Sequence, residues 1–143
     1  TIPVTLKTAN QDLGVNQNVA SFVVPVGATI NMDGTAIMQG LATVFIAQMS
    51  GIDLTLFQYM QVVLLAVATS IGTAAVPSAG TITLIIILQQ FNLPLEAIGI
   101  ILAVDRILDM IRTSVNVTGD AAIACIVAKT ENQLDENIFN SKA

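Results

Sequence analysis

The spacing of charged residues along this chain predicts long apolar segments separated by short polar breaks. Roughly 20 uncharged residues separate Asp12 from Asp33, and a similar number separates Asp33 from Asp53, which matches the helix length that crosses a bilayer core of ~30 Å. The run from Asp53 to Glu96 is about twice as long. We therefore expect an all-helical protein that is embedded in a membrane.

The longest uncharged run predicts two short helices, not one spanning helix. Its middle is the Gly-, Ser-, Thr- and Pro-containing segment 70–80, which lies between the apolar arms 54–68 and 82–88. Each arm is too short to cross a bilayer at ~1.5 Å per residue, so we expect a re-entrant hairpin that enters and leaves on one side. Non-helical backbone at membrane depth needs burial in protein or contact with water. Two soluble helices joined by a loop are the alternative interpretation.

A second break lies at residues 27–35, after Pro25 and before an apolar segment that ends near Met49. Two glycines and a proline weaken a helix there, and Asn31 and Asp33 are polar at the expected membrane depth. We interpret this segment as the break in a discontinuous helix. Half-helix ends and freed carbonyls can coordinate cations and hold anionic groups. A soluble turn between two helices is the alternative.

The last apolar segment, 95–127, carries a polar stripe. At about 100° per residue, seven polar side chains fall within about 120° of arc. They are Asp105, Arg106, Asp109, Arg112, Thr113, Asn116 and Asp120. A soluble amphipathic helix also has such a stripe, but the uncharged neighbouring segments favour a stripe that faces protein or water inside the membrane. Ionisable residues in that setting commonly mark the path of a substrate or an ion.

Composition excludes several classes of function. Asp, Glu, Lys and Arg make up 10% of the chain, against roughly 25% in ordinary soluble domains. The net charge is −5 and no basic cluster occurs, so we do not expect nucleic-acid binding. The absence of histidine excludes His-dependent catalysis, and the single cysteine, Cys125, excludes a disulfide framework within this sequence. The chain starts at Thr1, and we expect it to be part of a longer protein.

Three motifs stand in order along the chain: NMDGT at 31–35, SIGTAAVPSAG at 70–80 and DMIRTSVNVTGD at 109–120. Together they resemble the glutamate/aspartate:cation symporters, the dicarboxylate/amino acid:cation symporter family that includes the excitatory amino acid transporters. The resemblance covers essentially the whole chain and implies the C-terminal part of an all-α transport domain. In that domain residues 1–11 would end re-entrant hairpin one, 20–50 would form the broken helix seven, 54–91 hairpin two, 95–129 helix eight and 130–143 a polar tail. The family's first six helices and the serine-rich tip of hairpin one are absent from this sequence, so we do not expect the fragment to transport alone.

The resemblance implies a secondary active transporter, not an enzyme, that binds an acidic amino acid. Asp109 would pair with the substrate ammonium and Arg112 with its side-chain carboxylate, which a guanidinium fork binds through two hydrogen bonds. The other implied substrate contacts are Thr113, Asn116, Thr35, Val76, Ala79 and Gly80. A mutually satisfied Asp109–Arg112 ion pair is the alternative interpretation, and it is compatible with the empty state of such a site.

The resemblance also implies three Na⁺ sites made of the oxygen ligands that hard cations prefer. The first site would comprise Asp120 with the carbonyls of Gly27, Asn31 and Asn116. The second would comprise Asp33 with the Asn31 side chain and the Met32 carbonyl. The third would comprise the carbonyls of Thr29, Ser70, Ile71 and Thr73. The third would form only when the hairpin tip closes, so that cation binding favours the closed state. H⁺ is the alternative coupling ion, because some bacterial members use protons.

Further expectations come from the resemblance alone. The family's neutral amino acid carriers lack an arginine at the position of Arg112, which favours acidic substrates here. Its potassium-countertransporting members carry glutamate at the position of Gln39, so we do not expect potassium countertransport. The family resemblance implies elevator-type alternating access by a homotrimer that crosses the lipid bilayer of the cell (inner) membrane several times.

The competing hypotheses explain less of the pattern. A proton-coupled glutamate or C4-dicarboxylate symporter is the nearest alternative. An intramembrane aspartyl protease would need YD and GxGD motifs, but Tyr59 is followed by Met60 and the residues before Asp120 are Val-Thr-Gly. A channel would not need partners for both a carboxylate and an ammonium on one helix face.

Overall fold

The computed structural model describes residues 1–73 and 79–141, and the predicted all-helical class is confirmed there. The helices are α1 (Ile2–Lys7), α2 (Gln17–Ile30), α3 (Asp33–Met49), α4 (Leu56–Ser70), α5 (Ala79–Gln90), α6 (Ile98–Thr130) and α7 (Glu136–Asn140), with a π-helix at Thr8–Asp12 and a 3₁₀-helix at Leu95–Ala97. The described residues contain no strand, only an isolated antiparallel bridge between Val15 and Leu134. Within the same two ranges, none of the helices combines the length and the apolar composition that crossing a membrane requires.

The chain divides into two compact units, which are Thr1–Asn31 with Asn116–Ala143, and Met32–Val115. The first unit has a core of small and β-branched side chains, which are Ala9, Val15, Val19, Ala20, Val24, Ala124 and Ala128. The loop after the π-helix pairs with the segment before α7, where Asn16 N donates to Gln133 O at 3.0 Å and Asp135 N donates to Gly14 O at 2.8 Å. The segment that was expected to be a polar tail therefore contains a bridge and a short helix.

The second unit buries the apolar faces of α3 and α5 against each other. Its core includes Ile46 from α3 together with Leu84 and Leu88 from α5, all fully buried. Helix α4 begins with a capping box, in which Thr55 and Gln58 each satisfy the other's backbone N–H. The two arms, α4 and α5, both pack against α3.

The break between α2 and α3 is short. Asn31 (φ −92°, ψ 74°) and Met32 (φ −107°, ψ 44°) leave the helical conformation, and the Met32 carbonyl then caps α3 by accepting from Thr35 N and Ala36 N, both at 3.0 Å. Helix α2 continues through Pro25, which has a fixed φ that suits a helix and removes one backbone donor. The interruption therefore falls at the Asn-Met pair and not at the proline.

Candidate functional site

The cationic centre of the second unit is the guanidinium of Arg112 on α6. Its side chain is 5% exposed, and Nη2 forms an ion pair with the carboxylate of Asp109 one turn earlier. Nη1 is buried and has no hydrogen-bond partner among the described residues. A buried donor without an acceptor costs about 1–3 kcal/mol, and more when it is charged. This nitrogen is therefore positioned to bind an anionic oxygen.

Two glycines allow the helices to approach Arg112 closely. A Cβ at Gly80 would overlap Nη1 and lie 3.2 Å from Cγ2 of Thr35, and a Cβ at Gly34 would lie 2.5 Å from the backbone oxygen of Arg112. Side chains do not pack at such distances, so α3, α5 and α6 meet here because both positions are glycine. Thr35 is buried, and its hydroxyl donates to Met32 Sδ at 3.6 Å. Thr35, Gly80, Asp109 and Arg112 thus form one cluster in the second unit.

The other residues predicted to contact the substrate differ in their burial and in the unit to which they belong. Ala79, next to Gly80, is buried, and Thr113, next to Arg112, is half-buried. Asn116 belongs to the first unit. Val76 lies outside the described residues.

The first unit brings together all four residues of the first predicted Na⁺ site. Asp120 is only 3% exposed, and its Oδ1 accepts from Nδ2 of Asn31 at 2.9 Å. The same Nδ2 lies 3.4 Å from the backbone oxygen of Asn116. A Cβ at Gly27 would overlap Oδ1 and lie 2.9 Å from Cγ of Asp120, so the carboxylate touches the backbone of α2. A Cβ at Gly119 would likewise lie 2.5 Å from Nδ2 of Asn31.

This cluster has the chemistry of a site for a hard cation. The buried carboxylate of Asp120 and the backbone oxygen of Asn116 share the Asn31 amide donor, and oxygen atoms are the ligands that such ions take in proteins. A buried carboxylate also needs a cation or hydrogen-bond donors to offset its desolvation. Residues 1–73 and 79–141 contain no group of three acidic, histidine or cysteine side chains that could hold a metal ion. A cation here would therefore depend on neutral oxygens for most of its ligands.

The residues of the second predicted Na⁺ site lie at the start of α3 and at the break before it. Asp33 is exposed in the first turn of α3. The Met32 carbonyl already accepts two backbone N–H groups, which occupy its two lone pairs. Asn31, whose side-chain amide bonds Asp120, belongs to the other unit.

The third predicted Na⁺ site draws on the end of α4. Ser70 is the last residue of this helix, and its carbonyl accepts from Thr73 N at 3.1 Å across a turn in which Gly72 has φ +88°. The last carbonyls of a helix carry partial negative charge, which suits a cation near Ile71 and Thr73. Thr29 is exposed on α2 in the first unit.

Two buried polar contacts in the second unit were not predicted from the sequence. The amide of Gln39, which is fully buried, bonds groups on α4 and α5. Thr81 on α5 donates to Oδ1 of Asp105 on α6 at 3.0 Å, and both are buried. In the sequence, the threonines of the apolar arms were the feature from which these contacts could have been predicted. Arg106, the other cation of the polar stripe, is exposed.

Comparisons with known proteins extend over most of the chain. A sequence model for the family described as the sodium:dicarboxylate symporter family matches residues 1–130. The chain is 49% identical to excitatory amino acid transporter 3 of Mus musculus, over 99% of this chain and 27% of that protein. It is 50% identical to an excitatory amino acid transporter of Caenorhabditis elegans, over 89% of this chain and 25% of that protein. It is also 50% identical to excitatory amino acid transporter 2 of Homo sapiens, over 89% of this chain and 22% of that protein. The chain thus spans about a quarter of the length of the curated relatives it matches.

Proposed function

The chain belongs to the sodium:dicarboxylate symporter family, and we propose that it is part of a secondary active transporter that takes up glutamate or aspartate with Na⁺. The family is one of transporters and not of enzymes. The names of the relatives support an amino acid substrate. The proposal concerns the complete protein that carries this sequence.

The observation that carries the proposal is the buried Nη1 of Arg112, which has no hydrogen-bond partner among residues 1–73 and 79–141 and belongs to the guanidinium that pairs with Asp109. A guanidinium with one nitrogen already paired can still bind a carboxylate through its unused N–H groups. Asp109 is partly exposed and offers a negative partner for an ammonium. Together they would bind an amino acid that has a second carboxylate, and Thr35, Ala79 and Gly80 would form the wall of that site.

A C4-dicarboxylate is the second candidate substrate, because the family's description names dicarboxylates. Such a molecule has no ammonium and would leave Asp109 without its proposed partner. The carboxylate of Asp109 therefore favours an amino acid. Competition between labelled aspartate and excess succinate separates the two, since succinate should compete weakly if Asp109 recognises the ammonium.

The cluster at Asp120 supports Na⁺ as the coupled ion. Its single carboxylate balances one positive charge, and the nearby carbonyls of Gly27 and Asn116 can supply neutral ligands. Coupling to H⁺ would instead give uptake that depends on a pH gradient. Uptake driven by a Na⁺ gradient at constant pH supports the site proposed here.

The test is uptake of labelled aspartate by the complete protein in sealed vesicles, with and without an inward Na⁺ gradient. We expect concentrative, Na⁺-dependent uptake that Arg112→Ala abolishes. Cys125→Ala is the matched control, because Cys125 packs against the apolar core of the first unit and is not one of the proposed ligands, and its uptake should persist. Unchanged uptake in Arg112→Ala would refute the proposed role of the guanidinium.

The proposal also covers the transport mechanism and the assembly of subunits. We infer elevator-type alternating access by a homotrimer that passes several times through the cell membrane, and the family membership supports this inference. Cross-linking of the complete protein in native membranes tests the assembly, since a trimer gives products of two and three subunits and no larger species.

A further inference from the structure

The amide of Gln39 connects three helices of the second unit. Its side chain is fully buried on α3. Its Nε2 donates to the backbone oxygen of Gly80 at 3.2 Å and to the hydroxyl of Thr83, both on α5. Its Oε1 accepts from the hydroxyl of Thr69 on α4 at 3.0 Å. We call the side chains of Gln39, Thr69 and Thr83 the polar latch.

The chemistry of the partners fixes the orientation of this amide. The oxygen of Gly80 can only accept, so the NH₂ group of Gln39 must face it, and the amide oxygen must then face Thr69. The Thr83 hydroxyl accepts a hydrogen bond from Gln39 and can donate one to the backbone oxygen of Ala79 at 3.3 Å or of Gly80 at 3.1 Å. The Thr69 hydroxyl is therefore the donor that Oε1 needs, although it also lies 2.8 Å from the oxygen of Leu65.

The polar latch acts at the residue that faces Arg112. Gly80, whose oxygen Gln39 holds, has its Cα against Nη1 of Arg112, with no space for a Cβ between them. A displacement of this turn of α5 by even a fraction of an ångström changes the room around Nη1. None of the three latch side chains approaches the guanidinium in the contacts described, so their influence would pass through Gly80.

We propose that Gln39, Thr69 and Thr83 are positioning residues that set the first described turn of α5 against Arg112 and thereby the affinity for the anionic substrate. The proposal rests on the proposed function, because it takes Arg112 as the group that binds the substrate carboxylate. A buried polar network is rigid only when every member is satisfied. Removal of one hydroxyl leaves part of the Gln39 amide without a partner and frees the turn to move.

The experiment measures initial rates of aspartate uptake by the complete protein in vesicles at saturating Na⁺. Thr69→Val and Thr83→Val keep the side-chain shape and remove the hydroxyl. We expect each to raise KM about 5- to 15-fold, the equivalent of one lost buried hydrogen bond, with Vmax per transporter within twofold of the original. Thr69→Ser and Thr83→Ser retain the hydroxyl and should restore KM.

Thr43→Val is the matched control. Thr43 is fully buried on α3, and its hydroxyl donates to the backbone oxygen of Gln39 within the same helix at 2.7 Å. The variant therefore removes a buried hydroxyl that does not bond the side-chain amide of Gln39. Its KM should stay within twofold. A purely structural role for the latch would lower the amount of folded protein, and hence the uncorrected Vmax, while leaving KM unchanged.

The double variant Thr69→Val/Thr83→Val gives a second measurement. Because both hydroxyls serve one amide, its rise in KM should be smaller than the product of the two single effects. If a valine variant does not accumulate in the membrane, the alanine variant, which adds no atoms, takes its place. If Arg112→Ala abolishes uptake but the latch variants keep the original KM, the polar latch does not set the affinity for the substrate. The proposed function is then unaffected. Absence of aspartate uptake by the wild type overturns the proposed function itself.

Discussion

Gly27→Ala should weaken Na⁺ binding while it strengthens the helix in which it lies. Gly27 lies in α2, and the new Cβ would overlap Oδ1 of Asp120 and approach Cγ to 2.9 Å. The carboxylate cannot stay where it is, and its hydrogen bond from Asn31 Nδ2 must break or lengthen. The backbone of α2, in contrast, gains the usual preference for alanine over glycine in a helix, roughly 0.5–1 kcal/mol.

The size of the effect follows from the loss of one charged ligand. A hydrogen bond or contact to a charged group contributes about 1.5–3 kcal/mol, which corresponds to roughly 10- to 150-fold in an equilibrium constant. We therefore expect the Na⁺ concentration for half-maximal aspartate uptake to rise by about that factor. The thermal stability of the purified protein without Na⁺ should change little, because the gain in the helix offsets the displaced contact.

Uptake of labelled aspartate over a range of Na⁺ concentrations, with choline as the replacing cation, measures this constant. Gly99→Ala in α6 and Gly40→Ala in α3 are controls, since a Cβ at either position meets nothing within 4 Å. Both should leave the Na⁺ dependence unchanged. If Gly27→Ala transports with the same half-maximal Na⁺ concentration as the controls, Asp120 and its neighbours do not bind the coupled ion.

Two further substitutions test the second unit. Arg112→Cys should lower the affinity for aspartate roughly 10- to 150-fold, because one charge-assisted interaction is lost. The variant should also shift the substrate preference toward neutral amino acids, which competition assays with serine and alanine measure. An unaltered preference would contradict the carboxylate-binding role of Arg112. Thr81→Val removes the hydroxyl that donates to Asp105 and should cost about 1–3 kcal/mol, seen as a lower midpoint of thermal unfolding of the complete protein. Thr81→Ser should keep the original midpoint, and an equal loss in both variants would mean that the hydrogen bond contributes nothing.

The pattern of charges and glycines predicted the all-helical class and the position of the polar stripe on α6. The sequence also predicted a break within residues 27–35, and the structure interrupts the helix at Asn31 and Met32. Pro25 was one of the residues predicted to weaken that helix, but α2 runs through it. A proline removes one backbone donor but keeps a helical φ, whereas Asn31 and Met32 have the non-helical φ and ψ that end one helix before the next begins.

The polar latch could not be predicted from hydropathy or periodicity. Thr69 and Thr83 lie in arms that are largely apolar, where a threonine contributes little to the hydrophobic pattern and its hydroxyl can bond its own helix. The partner of the Gln39 amide depends on the register in which α3, α4 and α5 pack, and that register is a property of side-chain packing over the whole unit. The pairing of the 13–16 loop with residues 133–135 was hidden for the same reason, since it joins the two ends of the sequence.

Four glycines allow close contacts at the candidate sites, and a fifth, Gly14, allows one with the Asp135 backbone outside them. A Cβ would clash with groups of the proposed sites at Gly27, Gly34, Gly80 and Gly119, but would meet nothing at Gly40, Gly51, Gly72 or Gly99. At Gly27 and Gly80 the carboxylate of Asp120 and the guanidinium of Arg112 lie against helix backbone, and at Gly119 the amide of Asn31 does so. Such contact excludes water from one side of the charged group, which strengthens its interaction with a bound ion or carboxylate. The glycines therefore do not serve only to break helices. They allow Arg112 and Asp120 to be buried against backbone, where an unsatisfied N–H or a carboxylate oxygen binds a ligand more strongly than it would at an open surface.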